Sequence, residues 1–121
     1  MVLAPFLAAV ALGGSPSANL TITVWPQGKD HPSRAWTLRC DPAGGTLPGR
    51  AAACRRLSAF PDNPFAPTPP GTACSQIYGG PQAALVRGAF RGRRVWATFS
   101  RRDGCAISRW NRVSFLFPVR L

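Results

Sequence analysis

Cysteine, histidine and aspartate are the side chains of this 121-residue chain that could run a reaction or hold a metal. They are few: four cysteines, one histidine, and four acids that are all aspartate. Proton transfer or covalent catalysis needs a base held against a nucleophile, or a metal. The one adjacent histidine–carboxylate pair is Asp30 and His31. Chain neighbours in a proline-flanked loop do not orient one another as a dyad requires. Asp41, Asp62 and Asp103 also lie among Pro, Gly and other loop formers, where aspartate closes turns. A metal site is equally unsupported, because the cysteines form no CxxC pair and His31 stands in a polar loop without partners. No glycine-rich phosphate loop precedes a helix, and Gly44-Gly45 and Gly79-Gly80 read as turns. The expectation is a protein that is not an enzyme and takes no cofactor.

That leaves the cysteines, Cys40, Cys54, Cys74 and Cys105, as structural elements. Their redox state follows from the beginning of the chain. Val2 to Leu12 is an apolar, alanine-rich run followed by Gly13-Gly14-Ser15-Pro16-Ser17-Ala18, the pattern of a secretory signal and its cleavage zone, although no Lys or Arg precedes it. The run is too short to span a bilayer, which takes about 20 apolar residues. Residues 1–18 are therefore expected to be a signal peptide or the remnant of one, and 19–121 a single secreted domain with no membrane span. A domain of about 100 residues has a modest core and gains from covalent staples. In an exported chain four cysteines read as two disulfides, with three pairings open; the sequential one, Cys40–Cys54 and Cys74–Cys105, is taken as the expectation.

The third cysteine opens the stretch Cys74-Ser75-Gln76-Ile77-Tyr78-Gly79-Gly80-Pro81, which is uncharged and stops at Gly-Pro punctuation. Tied at one end to Cys105, it would be an extended strap, the shape in which a protease meets a substrate. Binding is then a better expectation than catalysis.

The elements that must position the strap are legible from periodicity. Asn19 to Trp25 alternates, with Leu20, Ile22 and Val24 on one face, and Ala35 to Arg39 reads as a second strand ending at Cys40. Asp41-Pro42-Ala43-Gly44-Gly45 breaks the chain. Gly49 to Phe60 has Ala53, Cys54, Leu57 and Phe60 at helical spacing, which would let Cys54 reach back to Cys40. Asn63 to Thr72 holds four prolines and reads as a long loop. Ala83 to Phe90 and Arg94 to Arg101 alternate around an Arg91-Gly92-Arg93 hairpin signal. Ala106 to Trp110 is expected to form a helical turn and Val113 to Phe117 a final strand. The fold class is α+β: a five-stranded, antiparallel sheet with one longer and one short helix packed on it, and two disulfides.

The net charge of +11 comes from 15 basic residues, 14 of them arginine. Such a surface attracts polyanions. The arginines are scattered over several elements rather than gathered in a nucleic-acid motif, so a solvated, soluble surface accounts for them as readily.

In order along the chain, the landmarks resemble the Streptomyces-type subtilisin inhibitor family of secreted serine-protease inhibitors. The residues that carry the resemblance are Leu20-Thr21-Ile22-Thr23-Val24, Trp36-Thr37-Leu38-Arg39-Cys40-Asp41-Pro42, Gly45-Thr46-Leu47-Pro48, and Ala53-Cys54 in the helix. They continue with Cys74 through Tyr78, Gly88 through Val95, and Phe99-Ser100-Arg101-Arg102-Asp103-Gly104-Cys105. The resemblance implies sequential disulfides, a five-stranded sheet with two helices, and a homodimer formed through sheet faces. It also implies a subtilisin-type protease as partner and a reactive bond two residues after the third cysteine. On this sequence that bond is Gln76–Ile77, with Cys74 at P3, Ser75 at P2, Gln76 at P1, Ile77 at P1′ and Tyr78 at P2′. Two features depart from the pattern. Gln76 stands where methionine or a basic residue is usual, and Gly79-Gly80 makes the segment one residue longer and, on composition, looser.

Overall fold

A computed structural model describes residues 16–121; the apolar run ahead of them lies outside the described residues. Five antiparallel strands form one sheet: β1 (Ala18–Trp25), β2 (Arg34–Cys40), β3 (Gly44–Gly45), β4 (Ala83–Phe90) and β5 (Arg93–Ser100), in spatial order β3-β2-β1-β4-β5. The two helices are α1 (Arg50–Ser58) and α2 (Gly104–Arg112). Alternation in β1 does what it foretold. Leu20, Ile22 and Val24 are fully buried, opposite Leu38 of β2 and Val86 of β4 in the register Leu20↔Leu38 and Ile22↔Val86. Both helices lie over this face, α1 through Ala53 and Leu57 and α2 through Trp110. The Trp110 ring lies tilted against Phe117 with centroids 4.6 Å apart, and Phe117 in turn meets Phe99 of β5 at 5.4 Å.

The fifth strand is not the one expected. Val113 to Phe117 is no strand: Ser114–Leu116 is a 3₁₀ turn. Val113, Leu116 and Phe117 bury their side chains at i, i+3, i+4 spacing, which a strand cannot present to one face. Gly44–Gly45, read as a chain break, supplies the edge strand β3 instead. Gly45 has φ 102°, and a Cβ there would collide with the Thr37 carbonyl, so the strands approach as closely as they do because this residue is glycine. Thr37 and Thr46 close the edge reciprocally, the Thr37 N–H donating to Thr46 Oγ1 at 2.9 Å and the Thr46 N–H to Thr37 Oγ1 at 3.2 Å.

α2 is also longer than the turn expected over 106–110, and with nine residues it equals α1. Asp103, read in the sequence as a turn former, starts it as an N-cap: its carboxylate accepts the Ala106 N–H at 2.9 Å. Ala18 is buried, and Ser17 donates its N–H to Cys40 O at 3.2 Å and accepts the Arg91 N–H at 2.8 Å.

Arg91 connects the two halves. With Gly92 it forms the two-residue β4–β5 turn, both at positive φ (51° and 79°), the geometry that matches strand twist. Its guanidinium donates to the carbonyls of Phe60 (2.8 Å) and Ser58 (3.2 Å) at the end of α1, and to that of Leu57 (3.4 Å), which also accepts the Phe60 N–H. A cation there also suits the helix dipole. Arg91→Gly keeps the left-handed backbone and removes the cap, so it is expected to cost about 1–2 kcal/mol, read as a lower urea midpoint with an unchanged m-value.

Candidate functional site

Both disulfides form, and they are the sequential pair. Cys40–Cys54 (Cα–Cα 5.5 Å) fastens α1 to the end of β2, and Cys74–Cys105 (5.3 Å) fastens the strap to the first turn of α2. Asp103 lies with Cys74 and Cys105 in one cluster, but both sulfurs are committed to the bridge and the carboxylate to its helix cap. His31 is an exposed turn residue whose N–H donates to Gly28 O at 3.0 Å; Asp30, Asp41 and Asp62 are exposed as well.

From Thr72 to Gly80 the chain has no regular structure. It is nevertheless fixed at two points. On the near side, beside the bridge, the Ser75 carbonyl accepts the Gly104 N–H at 3.0 Å. Gly104 permits that approach, because a Cβ there would strike the Ser75 side chain. On the far side the Gly79 N–H donates to Arg101 O at 2.7 Å, and the Gly79 carbonyl accepts Arg101 Nε at 3.3 Å. Between the two anchors Gln76, Ile77 and Tyr78 stand out. Ile77 is 65% and Tyr78 66% exposed, an unusual display for adjacent large apolar side chains. The Gln76 side chain is exposed and, among the described residues, reaches only the Cys74 carbonyl, at 3.5 Å.

The glycine pair behaves differently from the turn read in the sequence. Gly79 is an anchor, packed so closely that a Cβ would lie 2.8 Å from Ile107 Cδ1 and 3.1 Å from Arg101 O. Gly80, at φ 121°, lets the chain bulge before it enters β4 at Ala83, opposite Ser100. Gly79 is therefore held by the fold itself, so its flexibility in isolation is restricted before any partner is met.

The proline loop behind the strap is braced by Arg109 of α2. Its guanidinium donates to Thr98 O (2.8 Å), Ala66 O (3.0 Å) and Phe65 O (3.3 Å) and lies over the Phe99 ring at 4.4 Å. Burial pushes the Arg109 pKa down, with a smaller push from Arg112, yet an arginine starts so high that it stays charged at any ordinary pH. The contact also occupies a carbonyl of the sheet-edge strand β5. Neither Arg101 nor Arg109 was distinguishable in sequence from the other arginines; the roles of both depend on partners that folding brings in from 10 to 44 residues away.

Fold and site together define a disulfide-stapled scaffold that holds three exposed residues between fixed points. A family model for subtilisin inhibitor-like domains matches residues 15–101. Among solved structures the chain is similar to Streptomyces caespitosus sermetstatin, determined in complex with Bacillus licheniformis subtilisin. The identity is 28%, the match covers 84% of this chain and 97% of that one, and the TM-score is 0.53. No curated protein matched significantly. The chain belongs to the subtilisin inhibitor-like family, whose members are protease inhibitors and not enzymes.

Proposed function

We propose that this protein is a secreted inhibitor of subtilisin-type serine proteases and that Gln76–Ile77 is the bond it presents. The observation that carries the reading is the exposed Gln76-Ile77-Tyr78 segment between the Ser75 and Gly79 anchors. Such a segment can add its main chain to a protease cleft as a strand. Gln76 then fills S1, and its carbonyl points to the oxyanion hole. Because the bridge and anchors order Cys74 to Gly79 before binding, little entropy remains to be lost on association. An uncharged, polar P1 offers nothing to the acid of a trypsin-like S1 and lacks the bulk for a chymotrypsin pocket, which favours a broad S1. Titrating subtilisin with the purified protein is expected to abolish activity at one inhibitor per enzyme, with any cleavage confined to Gln76–Ile77. Full activity in the presence of a large excess would refute the reading.

Secretion belongs to the same proposal, with cleavage of the leader ahead of Ser17, since Ser17 and Ala18 are tied into the sheet. So does a homodimer through the sheet face opposite the helices. Among the described residues that face carries Thr21, Thr23, Thr37 and Leu85 with Trp96, which is 70% exposed. A second reading, a cationic binding module in which inhibition is weak, draws on Arg39, Arg87 and Arg94 at one end of that face. Polyanion binding through them should collapse as salt is raised, whereas inhibition through the strap should persist.

A further inference from the structure

The two sides of the presented bond are held very unequally. Before it, Cys74 is covalently tied to Cys105 and the Ser75 carbonyl is hydrogen-bonded to Gly104. After it, among the described residues, the hydrogen bonds from Ile77–Gln82 to the rest of the molecule go to one residue, Arg101: its backbone carbonyl takes the Gly79 N–H at 2.7 Å and its Nε reaches the Gly79 carbonyl at 3.3 Å. The guanidinium is itself oriented, with Nη1 donating to Asn111 Oδ1 of α2 at 3.2 Å and its plane near the buried Trp110 ring at 5.8 Å. Ile107 of the same helix also packs closely against Gly79.

We propose that Arg101, set by Asn111, is the positioning residue that keeps the far side of the strap in register after the bond is attacked. The inference rests on the inhibitor reading. The protease serine adds to the Gln76 carbonyl carbon, the Gln76–Ile77 amide breaks, and the Ile77 nitrogen leaves as an amine, having taken a proton. An acyl ester on the enzyme results. If the amine stays within reach, it attacks the ester carbonyl, re-forms the amide and returns the serine hydroxyl. If it drifts, water enters and the inhibitor is lost. Ile77 is two residues from Gly79, so the Arg101 clamp sets how far the freed amine can travel. Holding a reacting group in place in this way is worth a large effective concentration.

Arg101→Gln keeps the backbone carbonyl bond to Gly79 and removes the guanidinium; Asn111→Ala leaves the guanidinium but not its orientation. In each, two quantities are to be measured: accumulation of chain cleaved at Gln76–Ile77 with limiting subtilisin, by mass spectrometry, and hydrogen exchange at the Tyr78 and Gly79 amides of the free protein. Arg101→Gln is expected to speed net cleavage and strap exchange roughly 10- to 100-fold, the worth of a charge-assisted hydrogen bond, with melting within roughly 8 °C of wild type. Asn111→Ala should fall between. Arg91→Gly, which destabilises the molecule away from the strap, is the control and should change neither quantity at a temperature where it is folded. Unchanged exchange and cleavage in Arg101→Gln would overturn the clamp while leaving the inhibitor reading intact; so would an equal acceleration in Arg91→Gly. If wild type inhibits no protease, the inhibitor reading falls, and the exchange data alone still decide whether Arg101 orders the strap.

Discussion

Replacing both Cys74 and Cys105 by alanine is expected to weaken subtilisin inhibition at least ~100-fold and to turn what remains into rapid cleavage. The bridge closes a span of 31 residues, so its removal should cost about 3–4 kcal/mol of stability through the larger freedom of the unfolded chain. For a domain of this size that lowers the melting temperature by roughly 12–30 °C. The functional loss has a separate origin. Without the bridge, the near side of the strap keeps only the Ser75–Gly104 hydrogen bond, and Gln76 and its neighbours must be ordered at the moment of binding. Fixing one backbone residue costs about 1–2 kcal/mol, and two or three such residues suffice for the stated weakening. The double alanine variant at Cys40 and Cys54 separates the two effects. Its span of 14 residues makes it nearly as destabilised, about 3 kcal/mol, but it leaves both strap anchors in place. Assayed at a temperature where both variants are folded, it should inhibit like wild type. Equal inhibition by the two variants would mean that the bridge stabilises the fold and does not preorganise the strap.

Gln76→Lys should create inhibition of trypsin where wild type shows little. A lysine at that position would carry its ammonium to the acid at the base of a trypsin-like S1 pocket, and burial of such a pair across an interface is worth about 2–5 kcal/mol. That corresponds to a gain of roughly 30-fold to several-thousand-fold in affinity for trypsin. Stability should not move, because the Gln76 side chain is exposed and makes only a long contact, 3.5 Å to the Cys74 carbonyl. The substitution therefore tests the position of the presented bond with little risk of disturbing the scaffold. If Gln76→Lys ignores trypsin while a lysine at Ser75 or Ile77 captures it, the bond has been placed one residue away from where it belongs. If no lysine along the strap brings trypsin inhibition, the strap is not a protease ligand.

The elements that read well from sequence are those whose signal is local. Alternation in β1 and β5 and the spacing of Ala53 and Leu57 in α1 each reflect one side chain meeting one face, so periodicity suffices. Val113 to Phe117 misled because five apolar or small residues fit a strand by composition. The spacing of Val113, Leu116 and Phe117 was the better guide. Gly44-Gly45 misled because glycine is read as a break unless one knows that another backbone approaches it. The same error applied to Gly79, where a close neighbour turns a flexible residue into a fixed one. The disulfides were legible as a count, and the sequential pairing taken as the expectation is the one the fold forms, with Cα atoms 5.3–5.5 Å apart.

By itself, the sequence determined that this is a small α+β domain stapled by cystines, poor in catalytic groups, with an uncharged segment following its third cysteine. Those are properties of residue type and spacing, and no partner is needed to read them. What holds the segment after its presented bond, what braces the loop behind it, and what caps α1 were decided only by tertiary structure. Arg101, Arg109 and Arg91 do this work, each through carbonyls that lie 22 to 44 positions away along the chain. A guanidinium finds such acceptors only after chain folding has gathered them, and in sequence all 14 arginines look alike.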